Sequence, residues 1–223
     1  MIIKVILMLV VGYLFGCITT GYLVGKTQGI DIRDYGSGNA GATNVLRVMG
    51  KGRALITFLG DAFKGVIPML IMRHLVGPTL GISDEKVQFL SLLVGFAAVL
   101  GHDYPFTLGF KGGKGISTTV AIFTFFDWRF GLVSFIIFAV IVGVTRYVSL
   151  GSCILSAGLV IEMAVFYPGR WDLIGITACY AALAIYRHKA NIGRLMAGTE
   201  SKIGQKVQIK TEDDKEESNE DRI

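Results

Sequence analysis

The 223-residue sequence has few charges and few cysteines. Only 17% of its residues are charged, against about 25% in a soluble domain, while 52% are hydrophobic and the mean hydropathy is +0.57. Several apolar runs approach the roughly 20 residues that cross a bilayer, so an ordinary soluble fold is excluded. The three cysteines, Cys17, Cys153 and Cys179, lie in or beside apolar stretches without metal-ligand spacing. We interpret them as packing residues.

The sequence also lacks the residue groupings that several enzyme classes need. No acidic cluster offers itself for magnesium, no Cys/His set for zinc, and no nucleophile elbow carries a Ser–His–Asp order. The stretch FKGGKGIST at 110–118 fails as a Walker P-loop, because Gly115 follows Lys114 where Ser or Thr is required. GSGNAG at 36–41 matches GxGxxG but lies between predicted membrane helices, not in a βαβ unit. We therefore expect no metal and no cofactor.

The apolar runs predict an all-α, polytopic membrane helical bundle with about seven transmembrane helices. These helices are expected near 3–25, 53–75, 87–101, 116–126, 130–145, 150–167 and 173–187. The third and fourth are short, so six spans with one re-entrant segment is the alternative.

The distribution of basic residues predicts which side each loop occupies. With seven spans, one side collects sixteen Lys and Arg residues and the other side five. The positive-inside rule then places the amino terminus outside and the carboxyl terminus in the cytoplasm. The loops that are rich in polar residues lie on the cytoplasmic side.

The last residues differ from the rest of the chain. Residues 212–221, EDDKEESNED, hold seven acids and one lysine, whereas the chain before Thr211 has twenty basic and ten acidic residues. We expect an embedded domain at 1–202 and an acidic, disordered cytoplasmic tail at 203–223. The basic body favours an anionic partner: nucleic acid, anionic lipid or a phosphorylated metabolite.

Three cytoplasmic loops concentrate glycine, amide, hydroxyl and basic residues. They read YGSGNAGATNVLR at 35–47, GHDYPFTLGFKGGKGIST at 101–118 and YRHKANIGRLMAGTE at 186–200. Glycines let backbone N–H groups approach an oxyanion, and Arg and Lys add charge. A helix starting at Ile116 would attract an anion to its N-terminus. The simpler interpretations are a flexible loop for the first stretch, a positive-inside anchor for the second and a basic interfacial helix for the third.

Polar residues next to or inside the spans extend this region. Asp61 and Lys64 are three residues apart on the second span, and we interpret them as a structural pair, since unpaired charges in lipid are costly. His102 ends the third span and is expected near the same region. RYVSL at 146–150 forms a short loop that carries Ser149.

Together, the three loops and RYVSL resemble the bacterial acyl-phosphate:glycerol-3-phosphate acyltransferase family, in the family's order and over nearly the whole chain to about Lys202. The resemblance implies transfer of a fatty acyl group from acyl phosphate to the sn-1 hydroxyl of glycerol 3-phosphate. The products would be lysophosphatidic acid and inorganic phosphate, in phospholipid biosynthesis. It implies a multi-pass protein of the bacterial cytoplasmic (inner) membrane, with its active site facing the cytoplasm. The expected partners are glycerol 3-phosphate, fatty acyl phosphate and membrane lipid, with no nucleic acid, and a monomer is the working expectation.

The resemblance also assigns roles to residues. The residues expected to be catalytic are Ser37, Arg47, Lys111, His188 and Asn191. Those expected to bind substrate are Gly38, Asn39, Thr43, Asn44, Gly112, Gly113, Lys114, Gly115 and Ser149. Glu200 is expected to be structural, like Asp61 and Lys64. Two candidates stay open for accepting the hydroxyl proton: His188 and a phosphate oxygen of the acyl donor.

The competing functional class is a transporter of a small phosphorylated metabolite. It would explain the basic loops, and it predicts polar residues at the bilayer midplane with a site open to both faces. Only Asp61, Lys64 and Glu162 are charged in the middle of predicted spans, and the outer loops carry little polar sequence. The enzyme interpretation therefore takes precedence.

Overall fold

The computed structural model describes residues 1–205, and all regular structure in that range is helical. The helices are α1 Ile2–Gly16, α2 Thr20–Lys26, α3 Ala42–Met49, α4 Lys51–Ile71, α5 Asp84–Asp103, α6 Ile116–Phe126, α7 Trp128–Thr145, α8 Val148–Phe166, α9 Trp171–Arg187 and α10 Lys189–Met196. This confirms the all-α prediction. Most of the predicted acidic tail lies outside the described residues.

Helices of membrane-spanning length account for most of the chain. By length and composition, five segments within residues 1–205 could cross a membrane: Ile2–Lys26, Lys51–Leu80, Asp84–Leu108, Trp128–Thr145 and Val148–Phe166. Helix α6 has 11 residues and α9 has 17, so they are shorter than these five. The seven-span count and the sides of the termini stay predictions.

The first predicted helix, 3–25, is broken in the structure. Helix α1 ends at Gly16 and α2 starts at Thr20. The break frees the carbonyl of Ile18, which accepts a hydrogen bond of 2.8 Å from Lys64 Nζ on α4. The hydropathy of the run could not reveal this interruption, because the residues on both sides of it are apolar.

Close helix contacts place the carboxyl end of α5. A Cβ added to Gly16 would overlap the carbonyl of Ala98, and one added to Gly101 would overlap the carbonyl of Tyr13. Small residues at such contacts allow helix backbones to approach closely. The end of α5, including His102, is therefore held against the break between α1 and α2.

The main core lies between α4, α5, α6, α8 and α9. Leu92, Phe123 and Tyr180 are buried there, and Tyr180 Oη donates a hydrogen bond of 2.7 Å to the carbonyl of Leu92. Ile136 and Val144 on α7, by contrast, are 51% and 81% exposed. Large apolar side chains on the outer surface are what a bilayer would cover.

Candidate active site

One cavity of about 410 Å³ joins the three polar loops to the helices behind them. Of the residues expected at the site, it is lined by Ser37, Asn39, Thr43, Asn44, Arg47, Lys114, Gly115, Ser149, His188, Asn191 and Glu200. These residues come from four separate parts of the sequence, so folding brings most of the expected site together.

Other expected site residues lie outside this cavity. Lys111 is exposed, and with Gly38 it lines a neighbouring pocket that also includes Arg33 and Asp34. Gly112 and Gly113 are buried against the end of α5, while Asp61 and Lys64 lie behind the wall of the cavity. Of the two lysines in FKGGKGIST, it is Lys114 that reaches the cavity.

The two asparagines of the first loop organise its backbone. The amide of Asn44 is 1% exposed, donates to the carbonyls of Ile32 and Tyr35 at 3.1 and 3.0 Å, and accepts from Ser37 N–H at 2.9 Å. Asn39 Oδ1 accepts from Gly41 N–H at 2.9 Å. The amide of Asn44 is thus already satisfied by the loop, although the sequence suggested that it binds substrate.

The guanidinium group of Arg47 has one nitrogen that is hydrogen-bonded within the protein and one that is not. One guanidinium nitrogen donates to the carbonyl of Ser201 at 3.2 Å, whereas Nε is buried without a partner among the described residues. Burial lowers the pKa of Arg47, and the carboxylate of Glu200 partly opposes this shift. A partly buried cation with a buried, unused N–H is suited to holding a phosphate.

Lys114 is the partly buried cation of the second loop, and its ammonium donates a hydrogen bond to Asn191 Oδ1. Burial lowers the pKa of Lys114 to about 8, while Glu200 favours the charged form and the arginines nearby disfavour it. A substrate phosphate would supply the negative charge that this environment lacks.

The start of α6 presents backbone donors to the same cavity. Gly115 precedes the helix with φ of +67°, a conformation that glycine adopts without strain. The first bond of the helix runs from Thr119 N–H to the carbonyl of Gly115 at 2.8 Å. The N–H groups of Ile116 and Ser117 therefore have no intrahelical partner, and both residues line the cavity. Such an end attracts anions.

Arg187 links the second loop to the third. Its guanidinium donates to the carbonyl of Gly113 at 2.7 and 3.2 Å and stacks over the ring of Tyr104 at 4.7 Å. His188 follows directly in the chain. The position of the glycine loop is thereby tied to the position of His188.

His188 presents an acceptor nitrogen. Its Nδ1 lies 2.7 Å from the carbonyl of Ala184, and since a carbonyl only accepts, Nδ1 carries the proton and Nε2 does not. Burial, and then the charge of Lys114, lowers the pKa of His188 to about 4. The ring is neutral at physiological pH and can accept a hydrogen bond from a substrate hydroxyl.

Glu200 connects three polar side chains at the base of the third loop. It accepts from Ser149 Oγ at 2.8 Å, from Asn191 Nδ2 at 2.6 Å and from Arg194 Nε at 2.7 Å. Burial acts to raise the pKa of Glu200, but these three donors outweigh it and the pKa is lowered. The carboxylate thus stays charged and fixes the orientation of Asn191.

The other end of the cavity is apolar. It is lined by Phe58, Val120, Phe135, Phe138 and Leu155 from α4, α6, α7 and α8. The sequence did not single out these residues, because an apolar side chain that faces a cavity looks like one that faces lipid. The cavity therefore suits a ligand with an anionic head and an apolar chain.

Comparison with known proteins agrees with this geometry. The sequence model described as Glycerol-3-phosphate acyltransferase matches residues 6–198. A glycerol-3-phosphate acyltransferase of Thermoanaerobacter sp. (strain X514) is 44% identical over 206 residues, covering 92% of this chain and 98% of the relative.

Two solved structures are also similar to the chain. They are the glycerol 3-phosphate and lysophosphatidic acid forms of PlsY (YgiH), an integral membrane glycerol 3-phosphate acyltransferase. Their TM-scores are 0.80 and 0.77, at 37% and 36% identity, and each match covers 90% of this chain and 96% of the solved chain. Since family match, relative and fold coincide over nearly all described residues, the chain belongs to the glycerol-3-phosphate acyltransferase family of integral membrane enzymes.

Proposed function

We propose that this protein transfers a fatty acyl group from acyl phosphate to the sn-1 hydroxyl of glycerol 3-phosphate, giving lysophosphatidic acid and inorganic phosphate. The observation that carries the proposal is the single cavity with cations at one end and an apolar limb at the other. Glycerol 3-phosphate has an anionic phosphate but no apolar acyl chain, whereas acyl phosphate has both an anionic phosphate and an apolar chain. The site faces the cytoplasm of a bacterial inner membrane, and the protein acts as a monomer with its catalytic domain in residues 1–202.

Placement and charge stabilisation supply most of the catalysis. Arg47, Lys114 and the start of α6 hold phosphate groups close together. Well-oriented reactants can lower a barrier by roughly 7–11 kcal/mol. The same donors stabilise the carbonyl oxyanion and the leaving phosphate.

The proton of the glycerol hydroxyl goes to the departing phosphate. The hydroxyl oxygen forms the new ester bond as the bond between the carbonyl carbon and the phosphate oxygen breaks, and the phosphate leaves with that proton. With a pKa of about 4, His188 is too weak a base to hold this proton at neutral pH. Its Nε2 instead accepts a hydrogen bond from the hydroxyl before attack and so orients the oxygen. As the ester bond forms, the same proton turns from Nε2 to the phosphate oxygen.

The test uses purified protein in lipid nanodiscs with palmitoyl phosphate and radiolabelled glycerol 3-phosphate, in the presence of EDTA. We expect labelled lysophosphatidic acid, and no product when palmitoyl-CoA replaces palmitoyl phosphate. Product from palmitoyl-CoA alone would overturn the donor assignment. Absence of product, together with uptake of glycerol 3-phosphate into proteoliposomes, would favour a transporter.

His188→Ala, which removes the ring and with it the Nε2 acceptor, separates positioning from binding. Loss of the acceptor should lower kcat by about 10²-fold or more, with a smaller change in the KM for glycerol 3-phosphate. A rise in KM at unchanged kcat would mean that His188 contributes only to binding.

A further inference from the structure

Behind the wall of the cavity, the ammonium group of Lys64 has three polar neighbours. It lies 2.8 Å from Asp61 Oδ1, donates to the carbonyl of Ile18 at 2.8 Å, and lies 2.7 Å from His102 Nδ1. Lys64, Asp61 and His102 are all at most 5% exposed. An ammonium group has N–H donors and no acceptor. Its hydrogen bonds go to the carbonyl of Ile18 and to the ring of His102, while Asp61 balances its charge as an ion pair.

This arrangement fixes the tautomer of His102. Because the ammonium of Lys64 can only donate, His102 Nδ1 must be the acceptor of that contact. Asp61 Oδ1 lies 3.6 Å from Nδ1, which is too far for a hydrogen bond. The ring is therefore neutral, and its proton is on Nε2.

The Nε2 edge of His102 faces the glycine loop. A Cβ added to Gly113 would overlap Nε2, and the N–H of Gly113 donates to the carbonyl of His102 at 3.0 Å. His102 lines the same cavity as Ile116, the first residue of α6. Among the described residues, no group accepts a hydrogen bond from Nε2. A ring N–H without a protein partner therefore belongs to the wall of the cavity that the start of α6 also lines.

The two histidines of the cavity thus have opposite roles. His188 Nδ1 donates to a carbonyl and leaves Nε2 as an acceptor, whereas His102 Nδ1 accepts from Lys64 and leaves Nε2–H as a donor. An acceptor suits the attacking hydroxyl. A donor in the same cavity as a helix N-terminus suits an anionic oxygen.

We propose that His102 is a further substrate-contacting residue: Lys64 holds it as the Nε2–H tautomer, and this N–H binds an anionic oxygen of the reacting substrates. That oxygen is either a phosphoryl oxygen or the carbonyl oxygen on which charge develops. The inference rests on the proposed function for the identity of the substrates. The tautomer itself does not depend on that function.

The first test reads the tautomer directly. The chain has three histidines, His74, His102 and His188, so long-range ¹H–¹⁵N spectra of ¹⁵N-histidine-labelled protein contain three ring systems. His74→Asn and His188→Gln assign them by loss of signals. We expect Nε2–H for His102 and Nδ1–H for His188, and a shift of the His102 Nε2 signal on adding glycerol 3-phosphate or palmitoyl phosphate. An Nδ1–H or doubly protonated His102, or an Nε2 signal that neither substrate moves, would overturn the proposal.

The second test separates the two edges of the ring. His102→Asn keeps an acceptor near the position of Nδ1 for Lys64 but places no donor at the position of Nε2, whereas His102→Gln keeps a donor near the position of Nε2. We expect His102→Asn to lower kcat/KM by about 10²-fold. The kcat/KM of His102→Gln should be at least about tenfold higher than that of His102→Asn. Equal loss in both variants would indicate a purely structural role and would contradict the inference.

The kinetic parameters identify the oxygen. A rise in the KM for one substrate assigns a phosphoryl oxygen of that substrate, and a fall in kcat alone assigns the carbonyl oxygen. If wild-type protein makes no lysophosphatidic acid, the proposed function fails, yet the spectra still decide the tautomer. If wild type is active and both variants match it, the role of His102 fails while the function stands.

Discussion

Ser149 Oγ donates a hydrogen bond of 2.8 Å to Glu200 Oε1, joining the start of α8 to the segment that follows α10. The same oxygen accepts from Asn191 Nδ2 at 2.6 Å. One carboxylate thus fixes a hydroxyl and an amide that both line the cavity. The site is held together at this point by buried polar contacts, so its geometry is expected to be sensitive to small chemical changes.

Glu200→Gln should weaken the site although it preserves the shape of the side chain. The amide NH₂ group would replace either the oxygen that accepts from Arg194 or the one that accepts from both Ser149 and Asn191. Leaving a buried donor unpaired costs about 1–3 kcal/mol, so we expect a lower unfolding temperature and a clear fall in kcat/KM. Ser149→Ala, which removes only one donor, is the matched control and should have the smaller effect. Equal stability of wild type and Glu200→Gln would contradict this account.

The two lysines of the glycine loop should differ in their contribution. Lys114 reaches the cavity, whereas Lys111 is exposed in the neighbouring pocket. Lys114→Ala should therefore lower kcat/KM by about 10²-fold or more, as expected for loss of a charge that stabilises the transition state. Lys111→Ala should change it by less than about tenfold. Steady-state kinetics with both substrates varied provide the measurement, and the reverse order would restore the role that the sequence suggested for Lys111.

Activity and stability should respond in opposite directions to alkaline pH. Lys114 has a folded-state pKa of about 8, so its charge, and with it the activity, should decline above that pH. The unfolded lysine holds its proton to about pH 10.4. Between these values the unfolded state binds more protons, and the contribution of Lys114 to stability therefore rises with pH.

Lys114→Arg provides the control for this pH dependence. Arginine keeps its charge in this range, so the alkaline decline in kcat/KM should move to higher pH or disappear. His188, with a pKa of about 4, stays neutral throughout the same interval and should not add a step. An unchanged alkaline limb in Lys114→Arg would assign the decline to another group.

Gly113→Ala should damage the protein more than most glycine substitutions. Its Cβ would overlap His102 Nε2, so the glycine loop or the ring would have to move. Gly143→Ala in α7 is the matched control, because its Cβ would meet no atom within 4 Å and alanine favours a helix by up to about 1 kcal/mol. Yield, unfolding temperature and kcat/KM of both variants test this difference. Wild-type activity in Gly113→Ala would show that the loop adapts.

The bundle could be predicted from the sequence because hydropathy is a local property. The runs near 87–101 and 116–126 correspond to α5, Asp84–Asp103, and α6, Ile116–Phe126, within three residues at each end. The same local reading missed the break between α1 and α2. At that break the carbonyl of Ile18 accepts a hydrogen bond from Lys64, which is distant in the chain and therefore invisible to a local pattern.

By itself, the sequence determined the all-α class, the polar loops and the residue types suited to phosphate, since each depends on composition over short windows. Only the tertiary structure decided that Lys114 rather than Lys111 faces the cavity and that Asn44 is satisfied by its own loop. It also decided that Lys64 acts on His102. Such assignments depend on where distant segments of the chain meet, and pairwise distances of a few ångströms between them are set by packing and not by local sequence.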